Sequence, residues 1–280
     1  MNDNGERTIR EDWQDRQRRE GNVPRAVLMK GLHDSINAVI DRWHRSVLAR
    51  AFAPVSSCAT SCLDLGCGYG RLADSARELG LDPLFGLDFS KAFCSEFSRN
   101  HGPAVCASVT GLPFKPGSLN GAYAITALMY LPTDRAAEAM GQLDRCLHPG
   151  SRVLLLEPSR EFNALARRLF PGKRDETLAV PGFSKGEFFG TLPPDHWSPI
   201  ARGACPCLTL ALPAMMVLQR LSLPFRWLAA AALALDRLFV RFHVSHWFLA
   251  MYRWAIYEKP NSPPPVGTEG PRVGQLRDNR

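Results

Sequence analysis

The sequence has no run of about twenty predominantly apolar residues, the length a membrane-spanning helix needs. Its most apolar stretch, 208–242, is interrupted by Gln219, Arg220, Arg226, Asp236, Arg237 and Arg241, and carries Pro213 and Pro224 as breakers. Residues 1–20 are polar and charged, so no secretory leader is expected there. Cys58, Cys62, Cys67, Cys94, Cys106, Cys146, Cys205 and Cys207 match no zinc spacing, since Cys205-Pro-Cys207 lacks a second pair. No metal site is expected, and the thiols are expected to be free in a reducing, cytoplasmic setting. Basic residues are not interleaved with stacking aromatics, which argues against single-stranded nucleic acid as a partner.

What is present is an ordinary globular balance, 45% hydrophobic and 22% charged, in 280 residues. That length buries a core without disulfides or metal. The net charge of +7 is unevenly placed: from Ala201 onward ten Lys/Arg oppose four Asp/Glu. Residues 1–25 are charged and read as a flexible N-terminus or a partial helix. Leu28, Leu32, Ile36, Val39, Ile40, Trp43, Val47 and Leu48 repeat at helical spacing, which predicts an amphipathic helix over 26–50. From 60 to 160 the pattern alternates. Apolar runs at 61–65, 83–87, 103–107, 121–126 and 152–157 read as buried strands, and 70–79, 90–99 and 133–147 as helices. Alternating βα units predict a Rossmann-like doubly wound α/β sheet. Helices near 161–169 and 185–192 follow, then a sixth strand at 197–204 and a seventh within 247–258. The insert 208–242 separates the last two strands, and the tail 259–280 is expected to be disordered. Residues 26–258 thus read as one domain, with a cap helix at 26–50, a core at 60–160 and an apolar insert at 208–242.

Residues 62–71 read Cys-Leu-Asp-Leu-Gly-Cys-Gly-Tyr-Gly-Arg. A buried strand ends at Leu65, and Gly66, Gly68 and Gly70 follow at alternate positions before a helix. Glycine belongs where the backbone turns sharply or must approach a ligand with no Cβ in the way. The second strand ends in Asp88, near the spacing at which a carboxylate reaches ribose hydroxyls. Dinucleotide folds favour Gly-x-Gly-x-x-Gly with a pyrophosphate at the helix start. Here the spacing is Gly-x-Gly-x-Gly, and Asp64 precedes it. An acid at that point repels a pyrophosphate and suits a cationic amino acid and sulfonium.

Asp64-Leu-Gly-Cys-Gly-Tyr-Gly70 resembles the first motif of class I S-adenosylmethionine-dependent methyltransferases. Leu112-Pro-Phe114 with Pro116-Gly-Ser118 is similar to a segment of the ubiquinone and menaquinone branch. Leu147-His-Pro-Gly150 and Arg152–Pro158 resemble the entry to its fifth strand. The resemblance implies a seven-stranded sheet with one antiparallel strand and S-adenosylmethionine as cofactor. It implies Gly66, Gly68 and Gly70 beneath the methionine part, Asp64 facing its amino group and Asp88 at the ribose, with Cys67 and Phe89 also in the cofactor site. It also implies Ser108 near adenine, Val109 in the cofactor site, and the segment Thr126-Ala127-Leu128 on the sulfonium side. Ser108 stands where the family often has an acid, and Asn120 where it usually has Asp.

Methyl transfer from a sulfonium is in-line displacement, so alignment and desolvation do much of the work. Candidate bases are His33, His44, Tyr130, Glu157, His243 and His246, with His44, Tyr130 and Glu157 foremost. For His44 a helix-surface position is the blander expectation, for Tyr130 a place in the pocket wall, and for Glu157 a bridge at the sheet edge. Helix 26–50 and the insert are the segments expected to cap the crevice. Met215, Met216, Leu218, Phe225, Trp227 and Phe239 are candidate apolar walls. These features point to a small hydrophobic or lipid-linked acceptor. The Arg226, Arg237 and Arg241 stripe suits peripheral membrane contact through 208–242. No Asn/Asp-Pro-Pro-aromatic tetrapeptide follows the fourth strand, so nucleic acid is not the expected acceptor. A nucleotide-dependent oxidoreductase and a non-catalytic binding protein are the alternatives; Gly-x-Gly-x-Gly with Asp64 argues against the first, intact glycines and Asp88 against the second. Oligomeric state is not legible.

Overall fold

The computed structural model describes residues 11, 13, 15, 19, 21–23, 27–29, 32–53, 60–169, 182–242 and 249–261. His243, His246, Cys58 and residues 262–280 of the tail lie outside the described residues. Seven strands form one sheet: β1 (Cys62–Leu65), β2 (Leu84–Asp88), β3 (Ala104–Cys106), β4 (Leu119–Ile125), β5 (Leu147–Pro158), β6 (Ser198–Ala204) and β7 (Tyr252–Glu258). Their order is β3-β2-β1-β4-β5-β7-β6. β1 lies parallel to β2 and β4, and β7 runs antiparallel to both β5 and β6. All four residues of β1 are buried, because helices cover both faces of a parallel sheet.

The helices are α1 (Asp34–Phe52), α2 (Ala73–Glu78), α3 (Lys91–Asn100), α4 (Thr133–Cys146), α5 (Arg160–Leu169), α6 (Pro206–Arg220) and α7 (Arg226–Arg241). A 3-10 turn covers Leu128–Tyr130 and a π-helical turn Glu187–Thr191. Alternate residues of each strand feed opposite cores. Leu154, Leu156, Trp254 and Ile256 meet α1 and the α6–α7 hairpin on one face. Val153, Leu155, Ala255 and Tyr257 meet α4, Phe188 and Trp197 on the other.

Four expectations are corrected. The first helix starts at Asp34 rather than residue 26. His33 caps it by accepting from Ser35 N at 3.2 Å, and the Asn37 side chain donates to Met29 O and Leu32 O at 3.0 and 3.2 Å. Those bonds fold the preceding chain back across the helix start. Residues 11, 13, 15 and 19 are helical and Trp13 is buried, so of the two readings of 1–25 the partial helix holds at these positions and the flexible one does not. The helix after the glycines starts at Ala73, not 70, because positive φ angles carry the chain through a turn first. Pro213 does not break the insert; it sits on the exposed side of α6, and the break falls at Leu221–Phe225, where Ser222 has φ 56° and Pro224 follows.

Candidate active site

The cavity lies at the carboxyl ends of β1, β2 and β4, where ligands of open α/β sheets bind. At the end of β1, Gly66 N and Cys67 N both donate to Leu87 O, at 2.7 and 3.0 Å, closing the turn onto β2. Gly66, Gly68 and Gly70 take φ of 79°, 53° and 91°, the left-handed region that costs any other residue. At Gly66 a Cβ would also come within 2.4 Å of the Ala127 Cβ, in the wall of the cavity. The space is kept open by the missing side chain.

Two acids hold the floor. Asp88 Oδ2 accepts from Gly68 N at 3.0 Å and Oδ1 from Ser90 N at 2.8 Å. Burial pushes its carboxyl up to about 6, against the pull of those backbone N–H groups. Asp64 is buried beside it and accepts from the Tyr123 hydroxyl at 2.9 Å. Burial pushes Asp64 up to about 7, with the Tyr123 bond and the Arg71 guanidinium opposing and Asp88 adding. A desolvated acid of this kind gains from a bound cation. Thr126, at the end of β4, has φ 58° and is held by Thr126 N donating to Leu156 O at 2.8 Å. Backbone strain at a non-glycine residue in a cavity wall is typical of functional sites.

The structure gathers Asp64, Gly66, Cys67, Gly68, Asp88, Phe89, Ser108, Val109 and Thr126 around this one cavity. Two expected residues stand apart. A Cβ on Gly70 would sit 2.1 Å from the His101 ring, so that glycine serves packing. Leu128 is fully buried in the core on the α4 face.

Of the candidate bases, Tyr130 lines the cavity, with its ring 5.6 Å edge-on from Trp13. Glu157 does not. Its Oε1 accepts from Ala127 N and Leu128 N at 3.1 and 2.8 Å, and its Oε2 from Met129 N at 3.2 Å. It is fully buried, burial pushes it up to about 8, and its work is to shape the loop after β4. His44 is not on a helix surface either. It is fully buried, 5.1 Å from the Tyr252 ring, with Nδ1 3.2 Å from Arg71 Nη2. Burial, then the Arg71 charge, hold it well below the ordinary histidine value. His33 is the helix cap.

Ala127, expected with Thr126 on the sulfonium side, also lines the cavity, while sequence reasoning missed Trp13, Val27, Tyr69, Arg71, Leu72, Phe93, Ile125 and Leu131 in its wall. Tyr69 and Arg71 sit inside the glycine motif and were findable by adjacency. Trp13 carried a signal too, as the lone aromatic in a charged segment. The insert does not wall the cavity: Met215 and Phe225 are buried in the core, Met216 and Leu218 pack against that same core, and Trp227 faces outward. No group of three potential metal ligands occurs among the described residues.

Residues 63–155 match the family model described as a methyltransferase domain. Over those residues the chain carries a methyltransferase domain. An O-methyltransferase, resE, of Aspergillus sclerotiorum is 31% identical over 169 residues, 55% of this chain and 59% of the relative. The match thus spans about three fifths of that relative's length. Among solved structures, an S-adenosylmethionine-dependent methyltransferase from Mesorhizobium loti superposes with a TM-score of 0.54 at 16% identity, over 79% of this chain and all of the other. Magnesium protoporphyrin IX methyltransferase from Synechocystis, solved with S-adenosylhomocysteine, gives 0.54 at 15% identity, over 90% and 95%. These two likenesses concern the fold. The cofactor of the family fits the cavity's own chemistry: a side-chain-free turn at Gly66 and two desolvated acids.

Proposed function

We propose that this protein transfers a methyl group from S-adenosylmethionine to a small, hydrophobic or lipid-linked biosynthetic intermediate. The observation that carries the reading is the buried pair Asp64 and Asp88 set on the glycine turn. When bound, the cofactor supplies an electrophilic methyl on a sulfonium. Asp64 holds the cationic amino end and Asp88 the ribose hydroxyls. Gly66, Cys67 and Gly68 lie beneath the methionine part, Phe89, Ser108 and Val109 lie around the adenine side, and Thr126 borders the sulfonium.

The acceptor end is apolar. Trp13, Val27, Phe93, Tyr130 and Leu131 line the same cavity, and Trp13 meets Phe93 edge-on at 6.1 Å. An apolar wall with few polar groups desolvates and aligns an acceptor, which is most of what displacement at a sulfonium requires. Tyr130 is part of that wall in this reading. A hydroxyl acceptor is the first class to screen, since the relative from Aspergillus sclerotiorum is named an O-methyltransferase. A cytoplasmic location, peripheral at the membrane, belongs to the same proposal.

Calorimetric titration with S-adenosylhomocysteine tests it, with NADH as control and Asp88→Ala alongside. The expected result is micromolar binding of the first ligand and none of NADH. The variant should bind at least about tenfold more weakly, as for loss of a charged hydrogen-bond acceptor. Failure of well-folded protein to bind S-adenosylhomocysteine would sink the proposal.

A further inference from the structure

The α6–α7 hairpin carries an outer face that nothing in the described structure covers. Among the described residues, every exposed large hydrophobic except Leu165, Ile200 and Leu249 falls between Leu210 and Phe242. Trp227 is 66% exposed and Phe242 65%. At about 100° per residue along α7, Trp227, Leu235, Leu238 and Phe242 share one outward arc. Arg226, Arg237 and Arg241 form its shoulder, also exposed, while Ala229, Ala232, Asp236 and Val240 are buried on the opposite side.

The charge pattern narrows the occupant. Arg220, Arg226, Arg237 and Arg241 are the hairpin's basic residues and Asp236 is its one acid. That acid is turned inward. Its Oδ1 accepts from Cys207 N at 2.8 Å and its Oδ2 from Leu208 N at 3.0 Å, capping α6 from α7. The outer face therefore has arginines beside tryptophan, leucine and phenylalanine and no carboxylate. No helix of the described residues is long and apolar enough to cross a membrane. An apolar face edged by arginines that cannot span is the pattern of a helix lying in a bilayer interface.

We propose that the α6–α7 hairpin docks this protein on an anionic lipid surface, with the Trp227–Leu238–Phe242 face in the acyl boundary and the arginines on headgroup phosphates. The topology starts the hairpin on the same face of strand ends as the cavity. β6 ends at Ala204 opposite Arg253, which pairs in turn with Glu157 of β5, so α6 leaves from the carboxyl-end face of the sheet, the face on which the cavity opens nearer β1, β2 and β4. A hydrophobic acceptor dissolved in the bilayer would then be presented to the mouth of the site. The docking itself does not depend on methyl transfer.

Flotation of the full chain with phosphatidylcholine vesicles, with and without added phosphatidylglycerol, tests the proposal. Binding to the anionic vesicles, weakened by salt, is expected. Arg237→Gln and Arg241→Gln should each weaken it roughly fivefold. Trp227→Ser with Leu238→Ser should abolish flotation while leaving S-adenosylhomocysteine affinity unchanged, which separates lost docking from lost folding. Trp227→Phe should still float but lose the fluorescence quenching that lipids brominated in the acyl chain cause in the wild type. Equal binding to both vesicle types, or none, would overturn the proposal. So would a concentration-dependent dimer in sedimentation velocity that Trp227→Ser disperses, which assigns the face to a second copy.

Discussion

Gly66 and Gly70 share a left-handed backbone for different reasons. Gly66 keeps a side chain out of the cavity, while Gly70 makes room for the His101 ring. Gly70→Ala should therefore cost stability, with a clash at His101 and a left-handed penalty of about 1–2 kcal/mol. Adding His101→Ala should return the clash portion and leave the φ portion, as read from urea midpoints. Equal stability of the single and double variants would refute the packing role. The glycine spacing in the sequence carried the turn but could not divide these roles, because His101 lies 31 residues further along the chain than Gly70. Asp88 was legible because strand, turn and carboxylate are contiguous in sequence. His44 was not: its neighbours in space, Arg71 and Tyr252, come from elements that only the folded sheet brings to α1.

At the scale of elements, Glu157 ties β5 to the turn after β4. Three backbone N–H groups converge on it. Above about pH 8, where Glu157 is ionised and both of its oxygens accept, Glu157→Gln replaces one accepting oxygen with a donor that faces an N–H. A loss of roughly 1–3 kcal/mol is expected from the buried mismatch, seen as a lower urea midpoint. Unchanged stability with a collapsed kcat would instead make Glu157 a catalytic base. The strands were readable as buried runs and the central helices by their period. The boundaries that moved did so through particular side chains: His33 and Asn37 delayed α1, and Ser222 with Pro224 divided the insert. Whether the insert capped the crevice was illegible, since its apolar residues read alike whether they face a pocket, a core or the outside. Only the packing of Met215 and Phe225 into the core, with Trp227 left outside, separates them.

For the whole molecule, several buried ionisable groups set how stability varies with pH. Asp64 and Glu157 are raised to about 7 and about 8, above unfolded values of about 4. Folded protein therefore holds protons that unfolded protein has lost, and stability falls as pH climbs through those folded values. His44, held neutral, acts oppositely, but only below its unfolded pKa of about 6.5. Between about pH 6.5 and 8.5 the two acids dominate, so the ligand-free melting temperature should drop across that window in scanning calorimetry. A flat or rising profile would contradict their burial. The family model ends at 155, before α5, β6, the hairpin and β7. Because Ala204 pairs with Arg253 in antiparallel register, β6 and β7 form a β-hairpin whose connection is everything from 205 to 251. Lengthening a connection raises its closure entropy only logarithmically, so the strand pair bears a long one, and this one also covers a face of the sheet with α6 and α7. The segment is thus a place where the chain makes a long excursion at little entropic cost while the strands on either side keep their pairing.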